Sequence, residues 1–485
     1  MSVFDSDQYP GKPKILFVGS PYSSHVHGWI NLLIGGEFNV RLFACTDGCP
    51  PADWRVKTYI IANSVPEGLD PEWRESWWPE PERWKAYNEE VKQAVEEEQK
   101  RQAIIALHNE RALEVEKKRQ EKQQEQFEYQ IYHPLRYLIA YYFGKRKPTG
   151  SPYLPELPNL PPIPVSPFSS LIEPKSKAPS PQEWLADVIR SWKPDIIHTI
   201  GLDQGTSFYA QVRKKFHLEG YGKWIIKIFG GSDLAFKIFD PQSLQDVAGV
   251  FAEATHVILD NRYYANILIT KQVLNTEKIC SLTPVPGSGG IDVNELASKW
   301  SNPPSARRVI VWPKSYETIW SKAVPVLFAL RNVWNRIQPC EVYMLATNSE
   351  VKLWLSTLPT DMQRKIHVFE GIPRKAVLDI LVKSRVLIAP SLIDGVPNSL
   401  YEAMASGALP IVSPLPTITD VVGKTNVIFA NNLDQSELEK AIVQAMTDNN
   451  LVDEYAERNL KLVKDLADIN TIRQKAIDYY TSLAQ

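Results

Sequence analysis

Between Ser384 and Ser413 the chain reads SRVLIAPSLIDGVPNSLYEAMASGALPIVS, and few folds accommodate that order of residue types. The apolar run Val386 to Ala389 is short and unbroken, as in a strand buried on both faces; Asp394-Gly395 makes a turn, and Ser399 to Ser406 predicts a short helix. A second apolar run, Leu409 to Val412, follows at once. The pattern is that of a parallel α/β sheet, with Asp394 in a loop and Glu402 in the first helical turn. A helix start presents unpaired N–H groups and a partial positive charge, which suits a diphosphate. Ser399-x-x-Glu402 is equally a capping box, in which the glutamate reaches back to an N-cap amide. The second carboxylate, Asp394, eight residues earlier, is what a capping box does not need.

Two acids at this spacing, followed by EAMASG and a short apolar strand, resemble the signature of glycosyltransferase family 4, the group 1 retaining glycosyltransferases of the GT-B fold. The resemblance implies two Rossmann-like doubly wound domains facing across a cleft. It implies that Glu402 binds the ribose hydroxyls of a nucleotide and that Asp394, an aspartate where the family usually has glutamate, contacts the donor sugar. The backbone of Gly395, Val396, Pro397, Asn398 and Ser399 would hold the sugar and phosphates.

The chain's 485 residues suffice for two or three domains, and a net charge of −2 gives no overall basic field for nucleic acid. Cys45, Cys49, Cys280 and Cys340 are too few and too scattered for a disulfide framework or a zinc site, so no metal is expected. Met1 to Gly11 is polar, unlike a signal peptide, and no apolar run approaches the ~20 residues of a membrane span. A cytoplasmic protein with reduced thiols is expected.

Lys14 to Gly19 (KILFVG) predicts a buried strand, Ser20 to His27 a polar loop, and an apolar helix begins near Trp29, with a strand over Val40 to Ala44. No full G-x-G-x-x-G follows the first strand, which argues against a dinucleotide. In GT-B enzymes this loop faces the cleft, which makes Gly19, His25 and His27 cleft candidates. KPDIIHTIG, Lys193 to Gly201, is a second buried strand and resembles the family's strand with a terminal histidine, here His198. A further histidine that many members carry is replaced by Ile200. Strands over Trp224 to Phe229 and Val257 to Leu259 follow; the first leads into Gly230-Gly231-Ser232-Asp233, like the family's GSD turn, and the second presents Asp260. Gly289-Gly290-Ile291-Asp292 matches the family's end-of-domain motif.

From about Asp70 to Pro181 the doubly wound pattern is interrupted. Glu82 to Gln130 carries 12 acidic and 10 basic residues without Pro or Gly, and its sparse apolar positions predict a solvated helix on the order of 70 Å long rather than a coiled coil. Leu135 to Phe143 is aromatic and apolar and runs into Lys145-Arg146-Lys147, which suits either peripheral membrane contact or docking on the protein itself. Eleven prolines between Pro148 and Pro181 make an extended linker.

The hinge is read at Lys299 to Pro304, and Val309 to Trp312 opens the C-terminal domain. An arginine and lysine five apart, which clamp the diphosphate in many members, are absent, with Glu317 at the second position; Lys314 and Lys322, eight apart, match a spacing used in one branch. Strands follow over Glu341 to Ala346 and His367 to Gly371, and the family holds the nucleotide base just beyond, at Gly371 and Ile372. Leu451 to Leu483 is one long amphipathic segment of the kind GT-B proteins send back to the N-terminal domain. The division is thus 1–69 with 182–298, an insertion over 70–181, a nucleotide-sugar domain over 299–450, and a helical tail over 451–485. The expected activity is metal-independent, retaining transfer of a hexose from a UDP-, GDP- or similar sugar, used as substrate rather than cofactor, to an acceptor hydroxyl. The rival readings are a non-catalytic sugar-nucleotide-binding scaffold that recruits partners or oligomerises through the long helix, and an enzyme of the same fold that epimerises or phosphorolyses sugars.

Overall fold

A computed structural model describes residues 8–46, 48, 50, 51, 54, 56–60, 81–132, 180–231, 233–300 and 302–485. It divides into two compact units, one of residues 1–79 with 180–485 and one of residues 80–179.

Unbroken apolar runs build two parallel sheets in the larger unit. β1 (Lys14–Gly19), β2 (Asn39–Ala44), β3 (Lys57–Tyr59), β4 (Ile196–Ile200), β5 (Lys223–Lys227) and β6 (His256–Ile258) lie in the order β3-β2-β1-β4-β5-β6. β7 (Val309–Trp312), β8 (Glu341–Met344), β9 (Ile366–Val368), β10 (Ser384–Ala389), β11 (Leu409–Val412) and β12 (Ile428–Phe429) lie in the order β12-β11-β10-β7-β8-β9. Side chains alternate across each strand, so β1 sends Leu16 and Val18 to a core with Trp184 and Trp224, and Ile15 and Phe17 to one with Trp29 and Tyr480. Covering both faces is what permits sheets that are entirely parallel. Each order reverses once, between β1 and β4 and between β7 and β10, and open α/β sheets bind ligands beyond the strand ends at such points.

The first helix spans Ser24–Asn31, starting upstream of the expected Trp29, so His25 and His27 stand on its first turns rather than in a loop. The expected single C-terminal segment is two helices, Asn449–Ala467 and Ile469–Ala484. Asp468 breaks them because its carboxylate accepts the Thr471 amide at 3.1 Å and caps the second. The first packs in the C-terminal core through Val463 and Ala467; the second packs under the N-terminal sheet through Ile472, Ala476 and Tyr480. At the crossing, the Ile291 amide donates to the Ala467 carbonyl at 2.9 Å and the Ile469 amide to the Ile291 carbonyl at 2.8 Å.

The smaller unit carries one helix, Pro81–Tyr132, of 52 residues and about 78 Å at 1.5 Å per residue. Ile104, Ile105 and Leu107 are exposed on it, and Glu114 and Lys118 form an i,i+4 ion pair at 2.8 Å. The aromatic and basic segment Leu135–Lys147 and the proline-rich stretch up to 179 lie outside the described residues. Among the described residues no helix is long and apolar enough to cross a membrane.

Candidate active site

The loops at both switch points open onto one cavity of about 620 Å³. From the C-terminal sheet come Lys314 after β7 and the stretch Ile393–Ser399 with Glu402 after β10; from the N-terminal sheet come Ser23 and His25 after β1, Gln204 after β4, Gly231 after β5 and Asp260 after β6.

The helix after β10 spans Asn398–Ser406, one residue longer than expected. Pro397 takes the N-cap place, because its fixed φ suits a chain entering a helix, and Gly407 ends the helix at φ +77°, a left-handed conformation glycine adopts without strain. Ser399 is therefore inside the helix, its hydroxyl buried without a hydrogen-bond partner. Glu402 does not reach back to an N-cap amide. Its carboxylate accepts a 2.7 Å hydrogen bond from Arg374 Nη2, the first residue of the helix Arg374–Lys383. The capping-box alternative is thus corrected. Burial pushes the Glu402 pKa up, and the Arg374 guanidinium opposes that shift.

Asp394 sits between the two strand-end loops. Its Oδ2 pairs with the Lys314 ammonium and accepts from Ser391 Oγ at 3.0 Å, while its backbone carbonyl accepts from Thr417 Oγ1 at 2.9 Å. Lys322 is placed differently. It precedes the helix Ala323–Val333, does not line the cavity, and pairs with Glu317 at 3.0 Å. Glu317 also accepts the Ala323 and Val324 amides at 2.7 and 3.2 Å, so that lysine belongs to a helix start. Gly371 faces open space and Ile372 packs on the C-terminal core; neither lines the cavity.

On the N-terminal side His25 packs against Phe229 with ring centroids 4.4 Å apart and planes tilted at 41°, and burial pushes its pKa down to about 4, so the imidazole at the cavity is neutral. His27 is turned aside, its Nε2 at 2.7 Å from the Pro21 carbonyl and its ring stacked on Trp54. Gly19 serves packing, since a Cβ there would come within 2.8 Å of Val26. His198 is wholly buried away from the cavity, with Nδ1 at 2.6 Å from Tyr480 Oη, and burial lowers its pKa to about 3. Asp233 is also a framework residue: it accepts the Phe229 and Leu202 amides at 2.8 and 2.9 Å, and burial raises its pKa to about 6. On this side the buried carboxylate that lines the cavity is Asp260, which accepts from the Gly230 amide at 3.2 Å and the Val396 amide at 3.4 Å, tying one domain to the Ile393–Ser399 loop of the other. Gly231 approaches the same loop so closely that a Cβ would lie 2.4 Å from the Gly395 nitrogen. Asp260 had a sequence signal, an acid at a strand end; Arg374 and Trp320, also near this cavity, had none.

Two doubly wound parallel domains, facing one cavity with their switch-point loops, define the GT-B class of glycosyltransferase folds. Residues 347–462, which hold the Glu402 helix and the Asp394 loop, match the family of glycosyl transferases group 1. The fold is similar to that of a glycosyltransferase from Rickettsia africae ESF-5, at 12% identity over 98% of this chain and 99% of that one, with a TM-score of 0.53. It is similar also to Anabaena Alr3699/HepE solved with UDP-glucose, at 11% identity over 97% and 100% of the two chains, TM-score 0.57. A third similar structure is the E. coli trehalose-6-phosphate protein bound with UDP-2-fluoro glucose, at 12% identity over 97% and 99%, TM-score 0.55. No curated protein matches the sequence.

Proposed function

We propose that this protein is a retaining glycosyltransferase that moves a hexose from a nucleotide-diphosphate sugar to an acceptor hydroxyl without a metal ion. The observation that carries the reading is the convergence of Asp394, Lys314, Glu402 and the start of the Asn398–Ser406 helix on one interdomain cavity. Glu402, held by Arg374 in the cavity wall, is suited to accept from the ribose hydroxyls, and Asp394 to orient the sugar. As the acceptor oxygen bonds to C1, the bond from C1 to the diphosphate breaks, its electron pair stays with the diphosphate, and the acceptor proton passes to the departing phosphate oxygen. Charge grows on that phosphate, where Lys314 and the amides of Gly395, Asn398 and Ser399 stand ready to stabilise it. A neutral His25 is suited to hydrogen-bond sugar hydroxyls. Cleft closure would keep water from the donor.

The test is incubation with labelled UDP-glucose, GDP-mannose and ADP-glucose, following slow hydrolysis where no acceptor is known. Turnover should fall roughly a hundredfold in Glu402→Gln and Lys314→Ala, the loss of about 2–3 kcal/mol from a hydrogen bond to a charged group. Donor binding without turnover would point instead to a sugar-nucleotide-binding protein. Activity that collapses on chelation and returns with manganese would overturn the assignment of leaving-group stabilisation to Lys314, and an inverted anomer in the product would overturn retention.

A further inference from the structure

At the Asp394 end of the cavity the two domains meet through aromatic rings. Phe236, which follows the Gly231–Asp233 turn of the N-terminal domain, packs on Trp320 of the C-terminal domain with ring centroids 5.3 Å apart and planes at 59°. Trp320 lines the cavity, and its backbone is fixed, since its carbonyl accepts the Leu392 amide at 2.7 Å just before Asp394. Phe236 remains 50% exposed, and Phe239, at the end of the short 3-10 helix Lys237–Phe239 that follows, is 82% exposed. Scattered exposed apolar residues mean little; an aromatic pair joining two domains at the rim of a cavity marks a ligand surface. Among the described residues, the lysines next in the chain to this ring pair are held by carboxylates: Lys237 pairs with Asp203 at 2.7 Å and Lys322 with Glu317 at 3.0 Å.

We propose that the Phe236–Trp320 pair is the acceptor subsite and that it takes an uncharged saccharide. The inference rests on the donor reading above. If Glu402 marks the ribose end and Asp394 the sugar end, the acceptor hydroxyl must approach past Asp394, where these rings stand. The C–H faces of a pyranose carry small positive charge and pack on the negative faces of aromatic rings. A phosphorylated acceptor needs a cation beyond the Lys314 assigned to the donor, and an anionic bilayer needs a basic rim; Lys237 and Lys322, each held by a carboxylate, offer neither.

Donor consumption is measured with maltotriose, cellotriose or mannotriose, with glucose 6-phosphate, and with vesicles of phosphatidylcholine and phosphatidylglycerol. A neutral trisaccharide should accelerate it, and Phe236→Ala should raise the half-saturating saccharide concentration about fivefold or more, as expected for losing one aromatic contact. The effect should fall on saccharide concentration rather than on acceptor-free hydrolysis, and Phe236→Tyr should restore it. Stimulation by the sugar phosphate or vesicles alone, no stimulation by any trisaccharide, or an unchanged half-saturating concentration in Phe236→Ala overturns the proposal. Failure of the donor reading appears separately, as no donor consumption in any arm. Saturation-transfer NMR of the trisaccharides on the native protein and Phe236→Ala then decides the subsite by binding alone.

Discussion

Glu402 is a carboxylate buried in a helix and kept company by a single described cation, Arg374, itself half-exposed. Because burial raises its folded-state pKa, the folded protein holds that proton more tightly than the unfolded chain, and stability declines as pH rises above the ordinary carboxylate range. Arg374 limits the decline. Its removal should therefore cost more at high pH than at low pH: Arg374→Ala is expected to lose about 1–2 kcal/mol near pH 8, discounted from the ~3–5 kcal/mol of a fully buried pair, and much less near pH 5. Urea unfolding at the two pH values checks this; equal losses at both would mean that the arginine contributes packing alone. The carboxylate itself was legible in the sequence, through its spacing from Asp394. Its partner was not, because Arg374 lies 28 residues away on a neighbouring helix whose sequence names no contact.

Among the elements, the loop between β10 and the Asn398–Ser406 helix is held from both domains. Asp260 reaches the Val396 amide, the Ser288 amide donates to Asn398 Oδ1 at 3.4 Å, and the backbones of Gly231 and Gly395 touch. A methyl group at position 231 would meet backbone that has no freedom to retreat, so Gly231→Ala should push the loop off its seat. Donor turnover should fall at least roughly tenfold, with an overpacking cost of about 1–3 kcal/mol in denaturant unfolding. Unchanged turnover would show that the loop does not depend on the facing domain. The strand cores around this loop were readable because unbroken apolar runs leave little choice. Its local details were not: Ser399 looks like a cap until Pro397 takes that place, and Lys322 looks like a phosphate clamp until Glu317 is seen capping the next helix.

At the scale of the molecule, the two sheets have one winding and bring their switch points to one cavity, an arrangement visible in the order of apolar runs. The insertion was visible only as composition. Tyr59 and Trp184 pack with ring centroids 5.7 Å apart, so the chain on either side of the insertion is already together in the core. Replacing residues 80–179 with a Gly/Ser linker should therefore leave a folded protein that still consumes donor. Loss of cooperative unfolding in that variant would show that the core needs the long helix. His198 shows why the remainder was illegible: its partner, Tyr480, is 282 residues away and arrives on a helix that crosses between domains. That crossing also sets an order on biosynthesis. β1 to β6 emerge from the ribosome with one face of their sheet lacking Ile472, Ala476 and Tyr480, which are made only after the entire C-terminal domain. The half of the protein that is translated first is therefore completed after the half that is translated second, and until then that face of its sheet stands without its cover.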